Sequence, residues 1–212
     1  YKTIMKKIKK ALISVSDKKN LKNLLKVLSK HKIDLISSGG TYKEIKKLKF
    51  KCLEVSEYTG SDEILGGRVK TLHPKIHAGI LSKRNNKSHV KDLKKNNFEE
   101  IDLVIVNFYP FEKILEQTNN HLKIIENIDV GGPTMVRAAA KNYSDVTVIT
   151  SPDQYDKLIN EMEKNNGSTS IEFRTKMSLE AFSETAYYDA LISNYFNKIT
   201  KNNFPKKKII YG

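Results

Sequence analysis

Short apolar runs alternate with amphipathic segments over residues 11–150, and this alternation is typical of a parallel β-sheet covered by helices. The predicted strands are residues 11–15, 34–37, 51–55, 101–107 and 145–150, and the predicted helices are 18–31, 42–48, 86–96 and 133–142. The run IDLVIV at 101–106 is nearly all apolar, as in a central strand covered on both faces. The sequence therefore predicts an α/β fold with a mostly parallel, doubly wound sheet.

Beyond residue 150 the pattern predicts helices alone, at 152–164 and at about 171–199. This change divides the chain into segments of different character. They are a basic N-terminal tail (1–10), an α/β domain (11–150), a helical extension (151–200) and a Lys/Asn-rich stretch (201–212) that we interpret as the start of a linker.

Composition narrows the class of protein. The 212 residues contain no apolar run long enough to cross a bilayer and no signal-peptide pattern, so we expect a cytoplasmic protein without a membrane partner. The single cysteine, Cys52, excludes an intrachain disulfide and fits a reducing compartment. We interpret it as a small core residue.

The formal net charge of +14 raises the alternative of nucleic-acid binding, because basic surfaces displace the counterions of phosphates. However, only four of the 38 basic residues are arginine, the residue that makes bidentate phosphate and guanine contacts. The lysines are spread over predicted helix faces and tails. We therefore expect no nucleic-acid partner and keep this class as a minor alternative.

The candidate chemistry lies where the predicted strands end, since open α/β sheets bind ligands beyond the carboxyl ends of their strands. SVSDK at 14–18 places Ser16 or Asp17 as a helix cap, or forms an anion site with Lys18. SSGGT at 37–41 is a turn and cap, or a phosphate cradle of backbone N–H groups and hydroxyls. Two such turns on neighbouring strands favour a phosphate-bearing ligand.

The segment GGRVKTLHPKIHAGIL at 66–81 follows the third strand. Arg68, Lys70 and Thr71 reach the same anion if this loop folds over the sheet end. His73 and His77 would share a helix face and could hold zinc, but the sequence offers no third ligand at suitable spacing. We therefore expect both imidazoles to be hydrogen-bonded locally.

Two further segments complete the candidate site. NFYPF at 107–111 offers the Asn107 amide and the Tyr109 phenol to a flat polar ring. Asp129 stands immediately before a helix start, GGP at 131–133, and Lys141 ends the same predicted helix. Periodicity leaves open whether Lys141 points back to the site.

Taken in order, SVSDK, SGGT, GRVKTLHPKIHAGIL, NFYPFE and IDVGGPTMVRAAAKN resemble the inosine monophosphate (IMP) cyclohydrolase part of the bifunctional purine-biosynthesis family. The other activity of that family is aminoimidazole carboxamide ribonucleotide formyltransferase. The resemblance runs from about residue 11 to the C-terminus and implies a methylglyoxal-synthase-like fold. It also implies that residues 201–212 begin a linker into a formyltransferase domain beyond this sequence.

The resemblance implies closure of 5-formamidoimidazole-4-carboxamide ribonucleotide to IMP, with loss of water. Lys141 is expected to be the principal acid/base, with Lys70 as its electrostatic partner and Asp129 and Tyr109 beside the reacting groups. The residues expected to bind the nucleotide are Ser14, Ser16, Asp17, Lys18, Ser38, Gly39, Gly40, Thr41, Arg68, Val69, Thr71, Val106, Asn107, Val130 and Gly131.

No metal and no organic cofactor is expected for the ring closure, and 10-formyltetrahydrofolate is expected only for the formyltransferase domain. The expected partners are the purine nucleotide substrate and product, and the full-length protein is expected to be a homodimer. The alternatives within the same fold are a methylglyoxal synthase and an allosteric domain of the kind found on carbamoyl phosphate synthetase.

Overall fold

The computed structural model describes residues 4–200, so the predicted linker start at 201–212 lies outside the described residues. The strands are β1 (Lys6–Lys7), β2 (Lys10–Val15), β3 (Asp34–Ser37), β4 (Leu53–Glu54), β5 (Leu103–Asn107), β6 (Thr147–Ile149) and β7 (Ser168–Thr169). The helices are α1 (Leu21–Lys30), α2 (Gly39–Lys47), α3 (Val55–Thr59), α4 (Pro74–Leu81), α5 (Lys87–Lys95), α6 (Phe111–Gln117), α7 (His121–Glu126), α8 (Gly131–Lys141), α9 (Tyr155–Lys164) and α10 (Ile171–Thr200). Short 3-10 turns lie at Leu65–Gly67 and Pro152–Gln154.

Five parallel strands form the central sheet in the order β4-β3-β2-β5-β6, which confirms the predicted α/β class. The chain moves outward from β2 to one edge and then resumes at β5 on the other side. The switch point between β2 and β5 is where ligands bind in sheets of this kind. Leu12 of β2 pairs with both Ile36 and Val104, and these side chains are buried on a sheet covered from both faces.

Several element boundaries differ from the sequence prediction. The helix predicted from residue 133 begins at Gly131, and the strand predicted at 51–55 is only Leu53–Glu54. Helices α3, α6 and α7 and the antiparallel β1–β7 pair were not predicted. These elements are short, so their apolar positions are too few for a periodic pattern to stand out. Residues 1–10, predicted as a basic tail, include β1, and Ile8 is buried in the core.

The helical extension packs against the sheet domain through α10. This helix contacts α8, β6 and α6, and its buried side chains include Met177, Ala181 and Tyr188. Its large exposed residues, among them Leu179, lie on the opposite side. Within residues 4–200, no helix is both long and apolar enough to span a membrane. The extension therefore forms one wall of the same core, next to the switch point of the sheet.

Candidate active site

A cleft of about 680 Å³ lies at the carboxyl ends of β2 and β3. Its volume is within the range of roughly 300–1,000 Å³ typical of small-molecule sites. It is lined by Ser14, Ser38, Gly67, Arg68, residues 70–72, residues 125–132 and Met135. The predicted site residues that the cleft brings together are Ser14, Ser38, Arg68, Lys70, Thr71, Asp129, Val130 and Gly131.

The N-terminus of α2 forms one end of this region. Tyr42 is the first residue whose N–H bonds within the helix, to the Ser38 carbonyl at 3.2 Å, so the N–H groups before it lack helical partners. Two ammonium groups approach the same turn. A Cβ built on Gly39 would lie 3.7 Å from Lys70 Nζ, and one built on Gly40 would lie 4.0 Å from Lys18 Nζ. Free amides, the helix dipole and two cations together suit an anion such as a phosphate.

The two cations that line the cleft are held by carboxylates. Lys70 Nζ lies 2.7 Å from Glu63 Oε2. Arg68 donates from Nε to Glu126 Oε1 at 3.1 Å, and its Nη2 bonds the other oxygen of the same carboxylate. Hydrogen bonding to Arg68 lowers the pKa of Glu126, and hydrogen bonding to Glu126 raises the pKa of Arg68. An incoming anion therefore competes with Glu126 for Arg68 and with Glu63 for Lys70.

Asp129 lines the same cleft and lies two residues before α8. Its Oδ1 accepts a hydrogen bond of 2.9 Å from the Gly132 N–H. Burial raises the pKa of the Asp129 carboxyl, while the hydrogen bond from Gly132 works in the opposite direction. A Cβ built on Gly132 would stand 2.2 Å from Asp129 Oδ2, so only glycine leaves room for the carboxylate there. The site thus holds a partly desolvated carboxylate, which is a suitable proton acceptor near neutral pH.

Asn107 and Thr41, both expected to bind the nucleotide, make hydrogen bonds to the segment that contains Val15, Ser16 and Asp17. Asn107 Oδ1 accepts hydrogen bonds from Ser16 N, Ser16 Oγ and Asp17 N at 2.7–2.9 Å. Thr41 Oγ1 accepts from Val15 N and donates to Val15 O, both at 3.0 Å, and its side chain is buried. These groups are occupied in shaping the SVSDK loop. They fix the conformation of the chain at the carboxyl end of β2.

Three other predicted residues lie beside or behind the cleft. Tyr109 is 43% exposed and lines an adjoining pocket of about 400 Å³ that shares Glu126 and Asn127 with the cleft. Val106 is buried within β5, and Val69 forms a bridge to Ile64 in the loop. Of the three, Tyr109 is placed to reach a ligand that extends from the cleft.

Lys141, the expected acid/base, is not among the residues that line the cleft. Lys141 is exposed and ends α8, whose first residue, Gly131, lines the cleft. Ten residues of helical rise separate the two, or about 15 Å, and α8 runs antiparallel to the strands. Lys141 therefore lies toward the amino ends of the strands, and its side chain is too short to span the length of α8 back to Gly131.

The histidines of the 66–81 segment take structural positions. His73 is the N-cap of α4, where its Nδ1 accepts from the Lys75 N–H at 3.1 Å, and its Nε2 lies 3.3 Å from Ser61 Oγ. His77 Nε2 is buried and finds no hydrogen-bond partner among residues 4–200, and burial lowers the pKa of this imidazole. Across the described residues 4–200, no group of three or more His, Cys, Asp or Glu residues could hold a metal ion.

Sequence reasoning missed Glu126, which pairs with Arg68, and Tyr188, whose Oη accepts the Asp129 N–H at 2.8 Å. No turn or glycine motif marks either residue. An acidic side chain ending a short helix, and one tyrosine among several on α10, become recognisable only when the tertiary structure brings them to the cleft.

Comparison with known proteins agrees with this architecture. A model of the MGS-like domain matches residues 20–134, and a model of the AICARFT/IMPCHase bienzyme matches residues 139–211. The bifunctional purine biosynthesis protein PurH of Rippkaea orientalis is 50% identical over 196 residues, which are 91% of this chain and 38% of that protein. PurH of Bradyrhizobium diazoefficiens is 45% identical over 98% of this chain and 39% of its own length.

Among solved structures, one titled "Crystal structure of ForH" superposes with a TM-score of 0.79 at 30% identity, covering 89% of this chain and 99% of that one. The chain spans less than half the length of the PurH relatives described above. More than half of its residues match one family model. The chain therefore belongs to the family of MGS-like domains, and its relatives at 45–50% identity are bifunctional purine biosynthesis proteins.

Proposed function

We propose that this chain binds 5-formamidoimidazole-4-carboxamide ribonucleotide in the cleft and closes its ring to give IMP and water. One observation carries the proposal: a helix start approached by two lysines and the half-buried Asp129 belong to one cleft region. Such a combination suits a ligand that carries both a phosphate and a reacting heterocycle. The names of the PurH relatives support the same substrate class.

The phosphate binds the α2 turn. Its oxygens accept hydrogen bonds from the backbone N–H groups of Gly39 and Gly40 and pair with Lys18 and, after exchange with Glu126, with Arg68. The base then extends toward Lys70 and Asp129, which line the same cleft. Since both reacting groups belong to one molecule, the protein chiefly has to fix their rotamers and stabilise charge.

Ring closure begins when the carboxamide nitrogen attacks the formyl carbon. The new C–N bond forms, the carboxamide N–H proton passes to the Asp129 carboxylate, and Lys70 protonates the oxyanion on the former formyl oxygen. In the second step the hydroxyl leaves as water with the proton returned by Asp129. The formamide N–H proton passes to Lys70, the C=N bond forms, and both side chains regain their starting charge.

Purified protein should convert this formamido ribonucleotide to IMP in an absorbance assay, and IMP should raise its melting temperature. A chain that instead released inorganic phosphate and methylglyoxal from dihydroxyacetone phosphate would be a methylglyoxal synthase. Binding that fell steeply with salt and was unaffected by purine nucleotides would favour the nucleic-acid alternative. The proposal would be refuted if the purified chain showed no ring closure and no stabilisation by IMP.

Replacing Arg68 by alanine should raise KM and leave kcat nearly unchanged. A phosphate anchor far from the reacting atoms acts equally on the ground and transition states, so its loss weakens both. The measurement is steady-state ring closure. Arg137→Ala is the matched control because Arg137 packs over the Phe182 ring, away from the cleft. A loss confined to kcat would place Arg68 in the chemistry instead.

Replacing Glu126 by glutamine should tighten IMP binding by about two- to fivefold, the size expected when an exposed ion pair no longer competes. Calorimetric titration at low salt measures the change. The matched control is Glu163→Gln, which removes the same charge from an exposed pair with Lys30 at 2.7 Å. If both variants bind alike, the effect is a general one of net charge and Glu126 is not a competitor.

The remaining proposals concern the protein as a whole. We propose a cytoplasmic location, a homodimeric full-length protein, no nucleic-acid partner, and ring closure without a metal or organic cofactor. The second activity that "bifunctional" names in the relatives, with 10-formyltetrahydrofolate as donor, is proposed only for a longer protein containing this sequence. Size-exclusion chromatography with light scattering tests the assembly.

A further inference from the structure

Tyr188 connects the helical extension to the cleft. It lies in α10, 59 residues along the chain from Asp129, and is 4% exposed. Its Oη accepts a hydrogen bond of 2.8 Å from the Asp129 backbone N–H. That N–H precedes α8 and lies in a part-buried loop, so a solvent molecule does not easily replace the tyrosine.

The ring of Tyr188 also packs against two phenylalanines that follow β5. Its centroid lies 4.9 Å from that of Phe108 and 6.4 Å from that of Phe111. Phe108 follows Asn107, and its carbonyl accepts the Ser16 hydroxyl at 2.9 Å. One buried side chain therefore contacts both the segment that presents Asp129 and the strand end that shapes the SVSDK loop.

We propose that Tyr188 is a positioning residue that holds the Asp129 carboxylate in its reactive orientation. The proposal rests on the proposed function, because it assigns Asp129 the proton transfer. Two hydrogen bonds fix Asp129: the main-chain N–H binds Tyr188, and the carboxylate accepts the Gly132 N–H at 2.9 Å. If the bond to Tyr188 is lost, the bond from Gly132 is the hydrogen bond that still restrains Asp129, which lies in the loop before α8. The carboxylate can then rotate toward water.

The substitution Tyr188→Phe removes the hydroxyl and keeps the ring against Phe108. Tyr195→Phe is the matched control. It is the same chemical change in the same helix, and it breaks a bond of similar length, 2.7 Å to His121 Nδ1, while its ring packs on Phe111 at 6.0 Å. That bond lies in a separate pocket, between α7 and the end of α10.

We expect Tyr188→Phe to lower kcat about ten- to hundredfold with little change in KM, since small displacements of a reacting group have effects of this size. The acidic limb of the kcat profile should move to lower pH, because water reaching the carboxylate reverses the burial that raises the Asp129 pKa. Tyr195→Phe should change neither quantity. Equal losses of kcat in the two variants, or an unchanged kcat in Tyr188→Phe, would overturn the proposal.

A second measurement does not depend on turnover. Carboxyl-carbon NMR titration should show a lower Asp129 pKa in Tyr188→Phe than in the native protein and in Tyr195→Phe. An unchanged Asp129 pKa and an unchanged Asp129 amide shift would refute the positioning role. If the native chain proves unable to close the ring while the titration shift is present, the proposed function fails and the positioning of Asp129 stands.

Discussion

Asp129→Asn should lower kcat for ring closure by about 10²- to 10⁴-fold, the range typical of a lost general base. The change is narrow, because the asparagine Oδ1 can still accept the Gly132 N–H that the carboxylate accepts at 2.9 Å. The hydrogen bond from Gly132 and the bond between Tyr188 and the Asp129 backbone both survive. The substitution removes only the group proposed to accept the carboxamide proton. Steady-state kinetics at saturating substrate measures the resulting fall in kcat.

The pH dependence follows from the burial of Asp129. The base must be ionised, so kcat should fall as pH drops through the pKa of Asp129. Because burial raises this pKa, the fall should occur above the ordinary value of 3.8. A raised pKa also means that ionised Asp129 destabilises the folded state above its unfolded pKa, and that this penalty is lost as the carboxyl protonates. Asp129→Asn should therefore melt no lower than the native protein at pH 7.

The control for Asp129→Asn is Asp156→Asn, which neutralises an exposed carboxylate in the first turn of α9. It should retain native kcat. If Asp129→Asn keeps turnover within about twofold, proton transfer does not depend on Asp129 and another group accepts the proton. If it loses turnover and also melts far lower, the carboxylate is part of the fold and its catalytic assignment fails.

The sheet was predictable because its strands are apolar on both faces. Leu103 to Val106 are all buried, and no amphipathic helix would present such a run. Helices α1, α9 and α10 were predicted for the converse reason, since each buries one stripe of its residues. The short helices α6 and α7 were not predicted, because the one or two buried residues in each are too few to form a periodic pattern.

The site was predictable where backbone conformation demands a particular residue. Gly39 has φ +55°, and Gly132 leaves room for the Asp129 carboxylate, so glycine motifs marked both places. Roles that depend on tertiary distance were not predictable. Thr41 and Asn107 face neighbouring strand ends, and Lys141 is carried away from the cleft by the length of α8. Sequence order gives proximity along the chain, whereas these roles depend on side-chain direction.

The helical extension is fixed to the sheet domain by a buried arginine. Arg174 is fully buried in α10, and its donors bind backbone carbonyls. Nε donates to Tyr143 at 2.8 Å, and Nη2 donates to Ser144 at 3.1 Å and Ile4 at 3.2 Å. Nη1 donates to the Thr169 carbonyl. One guanidinium therefore joins α10 to the segment before β1, the loop after α8 and β7.

Arg174→Leu should reduce the free energy of unfolding by about 3–5 kcal/mol, because it leaves several buried carbonyls without donors and removes a large buried side chain. Arg174→Lys should recover part of this loss, since an ammonium offers three donors but lacks the planar fork. Urea unfolding followed by circular dichroism measures both variants. Arg137→Leu, on the exposed face of α8, is the control and should stay within about 0.5 kcal/mol of the native protein. If Arg174→Leu lost as little stability as Arg137→Leu, the carbonyls would have found other donors, and α10 would be held by its buried apolar side chains alone.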